Sequence, residues 1–130
     1  MRDKPSSVEL LEALAVFLRD EAAPRLDGGL RFKAIVGANV AQIVAREIAL
    51  SAAQDLAHFD RLVRLLGVNG TKEEGTNVAS AITDLSRELC HRIEIGEFDT
   101  LPRREELLRH LRACVNEKLA IDNPKILDEH

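Results

Sequence analysis

The amino-acid sequence predicts an all-α fold, a single-domain antiparallel bundle of about five helices formed by residues 1–130. The first observation is composition: apolar residues make up 45% of the chain and are mostly Leu, Ala, Val and Ile, with four Phe and no Trp or Tyr. Such a composition suits closely packed helices better than sheets. The second is periodicity, because apolar residues recur at helical spacing along five successive segments. A chain of this length is the size of one domain.

The first two segments have clear local signals. Ser6 and Glu9 have the spacing of a capping box and predict the first helix start, and Pro24 predicts its end. The second helix is predicted from about Leu30 to Ala49 and carries two apolar faces, which is typical of a central helix with neighbours on both sides. Its face of large side chains consists of Phe32, Ile35, Val36, Val40, Ile43 and Val44. Its face of small side chains consists of Ala34, Ala38, Ala41, Ala45 and Ala49.

The remaining segments are separated by further breaks. Ser51 and Gln54 again have capping-box spacing, which predicts that a third helix begins there after a short break and ends at Gly67. Residues 67–75 are predicted to form the one long loop. A fourth helix is predicted for residues 77–95, closed by Gly96. The fifth is predicted to begin near Pro102 and to end at residues 123–124, an Asn-Pro pair.

Three polar residues interrupt the predicted apolar faces. Glu47 falls among Val36, Val40 and Ile43 on the second helix, and Asn39 borders the same face; Lys118 falls inside the apolar face of the fifth helix. A lone buried charge is very costly, so we hypothesise that Glu47 and Lys118 are buried and pair with each other or with another polar group.

Several interpretations of these polar residues remain open. Glu47 and Lys118 could form a structural ion pair that fixes the register of two helices. They could instead line a pocket suited to proton transfer or anion binding. In a third interpretation, one long side chain reaches solvent. Asn39 is expected either to form a hydrogen bond in the interior or to lie at the polar edge.

The sequence predicts no metal site and no cofactor. Glu88 and His91 have the Glu-x-x-His spacing of helical di-iron bundles, but a second such motif is missing and both lie away from the apolar stripe. Glu106 and His110 share a face that is predicted to be polar. His58, like the terminal His130, has no partner at ligand spacing. Without a catalytic constellation, enzymatic activity stays uncertain, with the balance towards none.

Charge and cysteine usage limit the function classes. The net charge of −4 argues against nucleic-acid binding, which usually requires a basic surface. Charges interrupt the apolar stretches before the roughly 20 residues needed to span a bilayer, and the first residues do not resemble a signal peptide. Cys90 and Cys114 are expected to be reduced, buried thiols. We therefore expect a cytoplasmic protein that contacts neither a membrane nor nucleic acid.

Three segments of the chain resemble a family of uncharacterised bacterial proteins. They are Ser7–Ala13, Arg31–Val40 followed by Ile43–Glu47, and Lys118–Pro124, and the similarity extends over nearly the whole chain. Members of that family are often encoded beside, or fused to, phosphotransferases similar to aminoglycoside kinases, alongside acyl-CoA dehydrogenases. The resemblance therefore implies an accessory role in a pathway of this kind, and it transfers no catalytic residue. Asn39 and Asn123 lie within the matching segments.

Two functions follow as expectations. The first is a non-catalytic accessory or interaction protein that binds a phosphotransferase-like kinase, an acyl-CoA dehydrogenase, or a second copy of itself. Surplus apolar surface on the fifth helix, at Leu107, Cys114 and Ile121, could supply a dimer interface or could instead pack against the first helix inside the monomer. The alternative is a small enzyme or ligand-binding domain with an interior polar pocket around Glu47 and Lys118.

Overall fold

The computed structural model describes residues 4–69 and 77–128, which contain five α-helices and no strand. The helices are α1 (Ser7–Val16), α2 (Gly28–Leu66), α3 (Val78–Glu94), α4 (Arg103–Asp122) and α5 (Pro124–Asp128). A π-helical segment (Phe17–Ala22) and a short 3-10 turn (Ala23–Arg25) follow α1. The predicted all-α class is therefore confirmed.

Side-chain caps start two of the helices where the sequence predicts them. The Ser6 hydroxyl accepts a hydrogen bond from the backbone N–H of Glu9 at 3.2 Å, at the start of α1. The Asn77 side chain accepts one from the backbone N–H of Ala79 at 3.0 Å, at the start of α3. The first N–H groups of a helix have no partner within it, so each cap satisfies a donor that would otherwise need water.

Glycines in the left-handed region follow two helix ends. Gly67 has φ of +65° after α2, and Gly96 has φ of +87° after α3. This backbone conformation favours glycine because it has no Cβ. Both predicted helix ends are confirmed. Of the predicted loop over residues 67–75, positions 70–75 lie outside the described residues.

The predicted break between the second and third helices is wrong. α2 continues through Ser51, so that the two predicted helices form one helix of 39 residues. Residues 49–54 include three Ala and neither Gly nor Pro, and Ala has the highest helix propensity. Ser51 and Gln54 have the spacing of a cap, but a cap operates only where the chain leaves the helix. By contrast, α4 ends at Asp122, just before the Asn123-Pro124 pair that the sequence predicts as its end, and Pro124 then begins the short α5 at a position where proline is tolerated.

The contacts of the described residues divide the chain into two compact units. Unit 1 contains residues 4–51 and 119–128, and unit 2 contains residues 52–69 and 77–118. The prediction that residues 1–130 form one domain stays a prediction.

Unit 1 has a core of small side chains. Ala15, Ala38 and Ala41 are buried together, and Leu11 and Leu18 pack against them. The face of small residues on α2 is therefore the buried one. The large apolar face predicted for the same helix is mostly exposed: Phe32 is 68% exposed and Val40 is 53% exposed. The prediction that neighbours cover both faces of this helix is wrong for the described residues of the chain.

Helix α2 is also long and apolar enough to cross a membrane, judged by length and composition alone. Only 22% of its most apolar stretch is buried. Core helices of soluble proteins pass the same test, so this finding is weak evidence. The expectation that the protein has no membrane contact stays a prediction, as does its cytoplasmic location.

Unit 2 has a core of large side chains. Leu62, Leu65, Leu66, Leu89 and Phe98 form one buried cluster. Partly buried Val68, Ile82, Leu85 and Leu107 pack against it. Burial of a leucine or phenylalanine side chain contributes roughly 1.5–3 kcal/mol, so this cluster stabilises unit 2.

Two arginines of unit 2 bind the carboxyl end of α2. Arg92 donates to the backbone oxygen of Leu66 at 2.6 Å, and Arg103 donates to that of Leu65 at 2.8 Å. The guanidinium of Arg103 also lies 4.5 Å from the ring centroid of Phe98. The last carbonyls of a helix have no partner within it, so these two side chains satisfy them.

Candidate metal centre

The three polar residues singled out by the sequence lie on the surface. Glu47 and Lys118 are exposed, so their expected burial is wrong; Asn39 is also exposed, which agrees with the alternative that it lies at the polar edge. The reason is that the apolar faces they interrupt are themselves exposed, as Val40 on α2 and Val115 on α4 show. Asn39 Oδ1 accepts a hydrogen bond from Arg19 Nη2 at 2.6 Å within unit 1. A Glu47–Lys118 pair and a functional role for these residues stay predictions.

Unit 2 brings together three side chains that can ligate a metal. They are His58 of α2 with His110 and Cys114 of α4, and their ligand atoms all lie within 4.8 Å of one another. Cys114 Sγ lies 3.6 Å from His58 Nε2 and 3.5 Å from His110 Nε2. The two imidazole rings are 5.4 Å apart between centroids and are tilted by 40°.

Helical geometry positions two of the three side chains. His110 and Cys114 are four residues apart on α4, so they lie on one face of the helix, one turn from each other. His58 comes from α2, 56 residues before Cys114 in the chain. The cluster therefore requires the packing of two helix segments within unit 2.

Burial favours the neutral form of both imidazoles. His110 is only 6% exposed, and His58 is partly buried. Burial, and then the Arg61 guanidinium, lowers the pKa of His58 from its usual value of 6.5. Burial, and then the neighbouring His58, lowers the pKa of His110 from the same value. Neutral imidazole is the form of histidine that binds metals, because the ligating nitrogen must carry no proton.

An ion pair lies beside the cluster. The Arg61 guanidinium donates to both carboxylate oxygens of Glu117, with Nη1 at 3.2 Å from Oε2. Arg61 Nη2 also lies 3.9 Å from Cys114 Sγ. The hydrogen bond to Glu117 is the main cause that raises the pKa of Arg61, and a guanidinium is charged at neutral pH in any case. Glu117 offsets this charge next to the sulfur, and it is fixed in turn by Gln54, which donates to its backbone oxygen at 2.9 Å.

The two sulfur–nitrogen distances are within hydrogen-bond range for sulfur, and they also match those of a tetrahedral zinc site. Zinc–sulfur bonds of about 2.3 Å and zinc–nitrogen bonds of about 2.0–2.1 Å, at a tetrahedral angle, put sulfur and nitrogen about 3.5–3.6 Å apart. The two sulfur–nitrogen distances are 3.6 and 3.5 Å. Two imidazoles and one thiolate also form a donor set that zinc accepts. The buried Nδ1 of His110 has no hydrogen-bond partner among the described residues, so one polar atom of the cluster lacks a protein partner.

Sequence reasoning missed this cluster. It placed His110 on a polar face, but the structure buries this side chain, and it gave His58 no partner. The four-residue spacing of His110 and Cys114 was the one available signal, because it puts two ligands on one helix face. Nothing in the spacing of the chain points to His58 as the third member. The terminal His130 lies outside the described residues.

The other predicted ligands and thiols are at the surface. Glu88 and His91 are exposed, as the sequence predicts, and Glu88 accepts a hydrogen bond from Arg92 at 2.9 Å. Cys90 is exposed and Cys114 is partly buried, so the expected burial of Cys90 is wrong. Cys90 and His91 therefore provide exposed control positions for substitutions of the cysteine and the histidines of the cluster.

Fold and site together define an all-helical protein with a candidate metal centre made by two histidines and one cysteine. The chain belongs to the DUF6285 family, a domain of unknown function, whose family model matches residues 24–126. The resemblance to an uncharacterised family is confirmed to this extent. No curated protein and no solved structure matches the chain.

Proposed function

We propose that this protein binds a zinc ion through His58 Nε2, His110 Nε2 and the Cys114 thiolate. The observation that carries the proposal is the pair of sulfur–nitrogen distances, 3.6 and 3.5 Å, which equal the sulfur–nitrogen separation in a tetrahedral zinc site. The lowered pKa of both histidines supports it, because protonation of the imidazoles then competes less with metal binding.

The charges around the cluster suit a divalent cation. Two neutral imidazoles and one thiolate carry a net charge of −1 in the metal-bound form, and the Arg61–Glu117 pair adds none. A zinc ion would bring the whole group to +1. Arg61 would then donate towards the ligating sulfur, as partners of metal ligands commonly do.

A site with three protein ligands leaves one coordination position for water or a substrate. Catalytic zinc sites have this form, whereas structural zinc sites usually have four protein ligands. Zinc in such a site polarises a bound oxygen and lowers the pKa of bound water. The proposal therefore favours the alternative of a small enzyme or ligand-binding domain, with its site at this cluster instead of around Glu47 and Lys118.

Cobalt substitution tests the proposal directly. Metal-free protein, prepared with a chelator and kept reduced, is titrated with Co²⁺ while its visible and near-ultraviolet absorption is recorded. We expect the spectrum of a tetrahedral site with a cobalt–thiolate band, and zinc should displace the cobalt at one equivalent. Cys114→Ser should remove the thiolate band, and Cys90→Ser, a matched control at an exposed cysteine, should retain it.

The histidine ligands have a matched control of their own. His110→Gln should weaken zinc binding by more than the 10–100-fold typical of losing a partner outside the ligand set. His91→Gln, at an exposed position of α3, should leave it unchanged. Binding that is equal in Cys114→Ser and Cys90→Ser, or octahedral cobalt in the wild-type protein, would contradict the proposal.

We propose as a second function the accessory role implied by the resemblance, with a phosphotransferase-like kinase as the partner. A row of exposed apolar side chains on α2 favours it; the row contains Phe32, Val36, Val40, Val44 and Ile48. Exposed apolar rows of this extent are common at protein interfaces. An acyl-CoA dehydrogenase or a second copy of the chain are the alternative partners, and a cytoplasmic location is part of this proposal.

A pull-down with tagged protein separates these partners. Val40→Asp should abolish recovery of the kinase-like partner, because it puts a carboxylate into the exposed row. Ser80→Asp adds the same charge to an exposed position of α3 and should preserve recovery. Recovery of the kinase-like protein by Val40→Asp at the wild-type level would contradict an interface on this face. A concentration-dependent mass in light scattering would instead indicate a homodimer.

A further inference from the structure

A cleft of about 560 Å³ in unit 2 opens beside the metal-ligating cluster. His110 belongs to both, and Arg61 lines the cleft while its Nη2 lies 3.9 Å from Cys114 Sγ. Four arginines line this cleft, against a single carboxylate, that of Glu106. A cleft of this volume accommodates a small organic molecule.

Two of the four arginines are already engaged by carboxylates. Arg61 forms its ion pair with Glu117. Arg103 pairs with Glu106 at 2.6 Å and with Glu97 at 3.2 Å. These ion pairs hold the two guanidiniums in fixed orientations at the wall of the cleft. The partner carboxylates largely offset the positive charges of both arginines.

The other two arginines are free to bind a ligand. Arg64 of α2 and Arg109 of α4 line the cleft and are exposed. Within residues 4–69 and 77–128, neither has a hydrogen-bond or ion-pair partner. The cleft therefore presents two uncommitted guanidiniums, from two different helices, next to His110. This arrangement stands out in a chain whose net charge is −4.

We propose that this cleft binds the phosphate group of a small molecule through Arg64 and Arg109. A guanidinium donates two parallel hydrogen bonds to an oxyanion. A carboxylate has only two oxygens, so a single arginine can already occupy both of them. A phosphate monoester has three terminal oxygens and a charge near −2 at neutral pH, so it can accept from two arginines and neutralise both. The placement of the bound molecule beside a metal ion rests on the proposed function, but phosphate binding itself does not.

The test uses the metal-free full chain, so that phosphate binding is measured without zinc. Inorganic phosphate is titrated into the protein in a calorimeter at constant ionic strength, with succinate as a second titrant. We expect saturable binding of phosphate, weakened at least tenfold in Arg109→Gln and in Arg64→Gln. Arg112→Gln is the matched control, since it removes the same charge from an exposed position of α4 that does not line the cleft.

The outcomes separate this proposal from the metal proposal. Saturable phosphate binding that depends on Arg64 and Arg109 supports the cleft even if cobalt titration finds no metal site. Absence of saturable phosphate binding, or equal weakening by Arg112→Gln, would overturn it whatever the metal result. Succinate binding as tight as phosphate would also overturn it, because a dicarboxylate would then be the ligand class.

Discussion

The two units of this protein bury opposite kinds of apolar residue. Unit 1 buries Ala15, Ala38 and Ala41, while Phe32 and Val40 of the same unit remain exposed. Unit 2 buries Leu and Phe side chains, and its polar cluster lies within its own set of contacts. Both units are helical, so the difference lies in side-chain size at the contacts and not in secondary structure.

This difference separates two roles for apolar surface. In unit 2, the large apolar side chains of the buried cluster stabilise the unit that contains His58, His110 and Cys114. In unit 1, small side chains allow close helix packing, and large ones such as Phe32 and Val40 are exposed. We therefore expect substitutions in the two units to change the free energy of unfolding by different amounts, and in one case to raise it instead of lowering it.

The largest effect is expected from truncation in the core of unit 2. Leu62 is fully buried, so Leu62→Ala should lower the free energy of unfolding by about 2–5 kcal/mol through lost burial and the cavity left behind. Urea denaturation measures this loss. Leu56→Ala removes the same atoms from a side chain of α2 that is 46% exposed, and it should cost under about 1 kcal/mol. Equal losses in the two variants would contradict the assignment of the core.

A smaller effect is expected from enlarging the core of unit 1. Ala38 is fully buried among small side chains, so Ala38→Leu should lower the free energy of unfolding by about 1–3 kcal/mol through overpacking. The control is Ala49→Leu, at an exposed position of the same helix, which should leave stability nearly unchanged. If Ala38→Leu were as stable as the wild type in urea, the small-residue packing of unit 1 would be refuted.

The pH dependence of stability should come from unit 2. Burial lowers the pKa of His58 and His110 in the folded protein, so below about 6.5 the unfolded chain binds protons that the folded chain does not. The contribution of these two histidines to the free energy of unfolding of the metal-free protein should therefore be fully present above this pH. It should be lost as the pH falls from about 6.5 towards the folded-state pKa values. The slope is at most about 1.4 kcal/mol per pH unit for each histidine.

Urea denaturation between pH 5 and pH 8 checks this dependence. The double variant His58→Gln, His110→Gln should show a flatter profile than the wild type. His91→Gln, at an exposed histidine, should retain the wild-type profile. A profile that stays steep in the double variant would locate the pH-sensitive groups elsewhere.

The smallest effect is a gain of stability in unit 1. Gly37 lies inside α2, and an added Cβ would meet only Leu18 Cδ1 at 3.4 Å, an ordinary contact. Gly37→Ala should therefore raise the free energy of unfolding by about 0.5–1 kcal/mol, because alanine loses less conformational entropy in a helix. Gly67→Ala provides the opposite case, since its φ of +65° strains any other residue. A thermal melt that shows Gly37→Ala to be less stable than wild type would contradict this packing.

Local chemistry determined how much of the fold could be predicted. Caps and glycines depend on a few neighbouring residues, so Ser6, Asn77, Gly67 and Gly96 could all be located from the sequence. Ser51 has the same local chemistry as Ser6, but the surrounding alanines continue the helix through it. A capping motif therefore predicts a helix start only where the residues on both sides have a helix propensity low enough for the helix to be interrupted.

Burial was harder to predict than secondary structure. The apolar pattern of α2 shows which side chains would gain from burial, but it does not show whether a neighbour is present to bury them. The expected burial of Glu47 failed because it depended on such a neighbour. The candidate site was missed for a related reason, since His58 meets His110 and Cys114 only through tertiary packing.

The hydrogen bonds from Arg92 and Arg103 to Leu66 and Leu65 have a consequence for motion. Helix ends usually open and close without the rest of a protein, and their amide protons then exchange quickly with solvent. Here the last carbonyls of α2 are held by side chains of unit 2, and the N–H of Gly67 donates to the Val63 oxygen at 2.9 Å. The final turn of this helix can therefore open only when unit 2 opens. Its amide protons should exchange with deuterium as slowly as those of the leucine core.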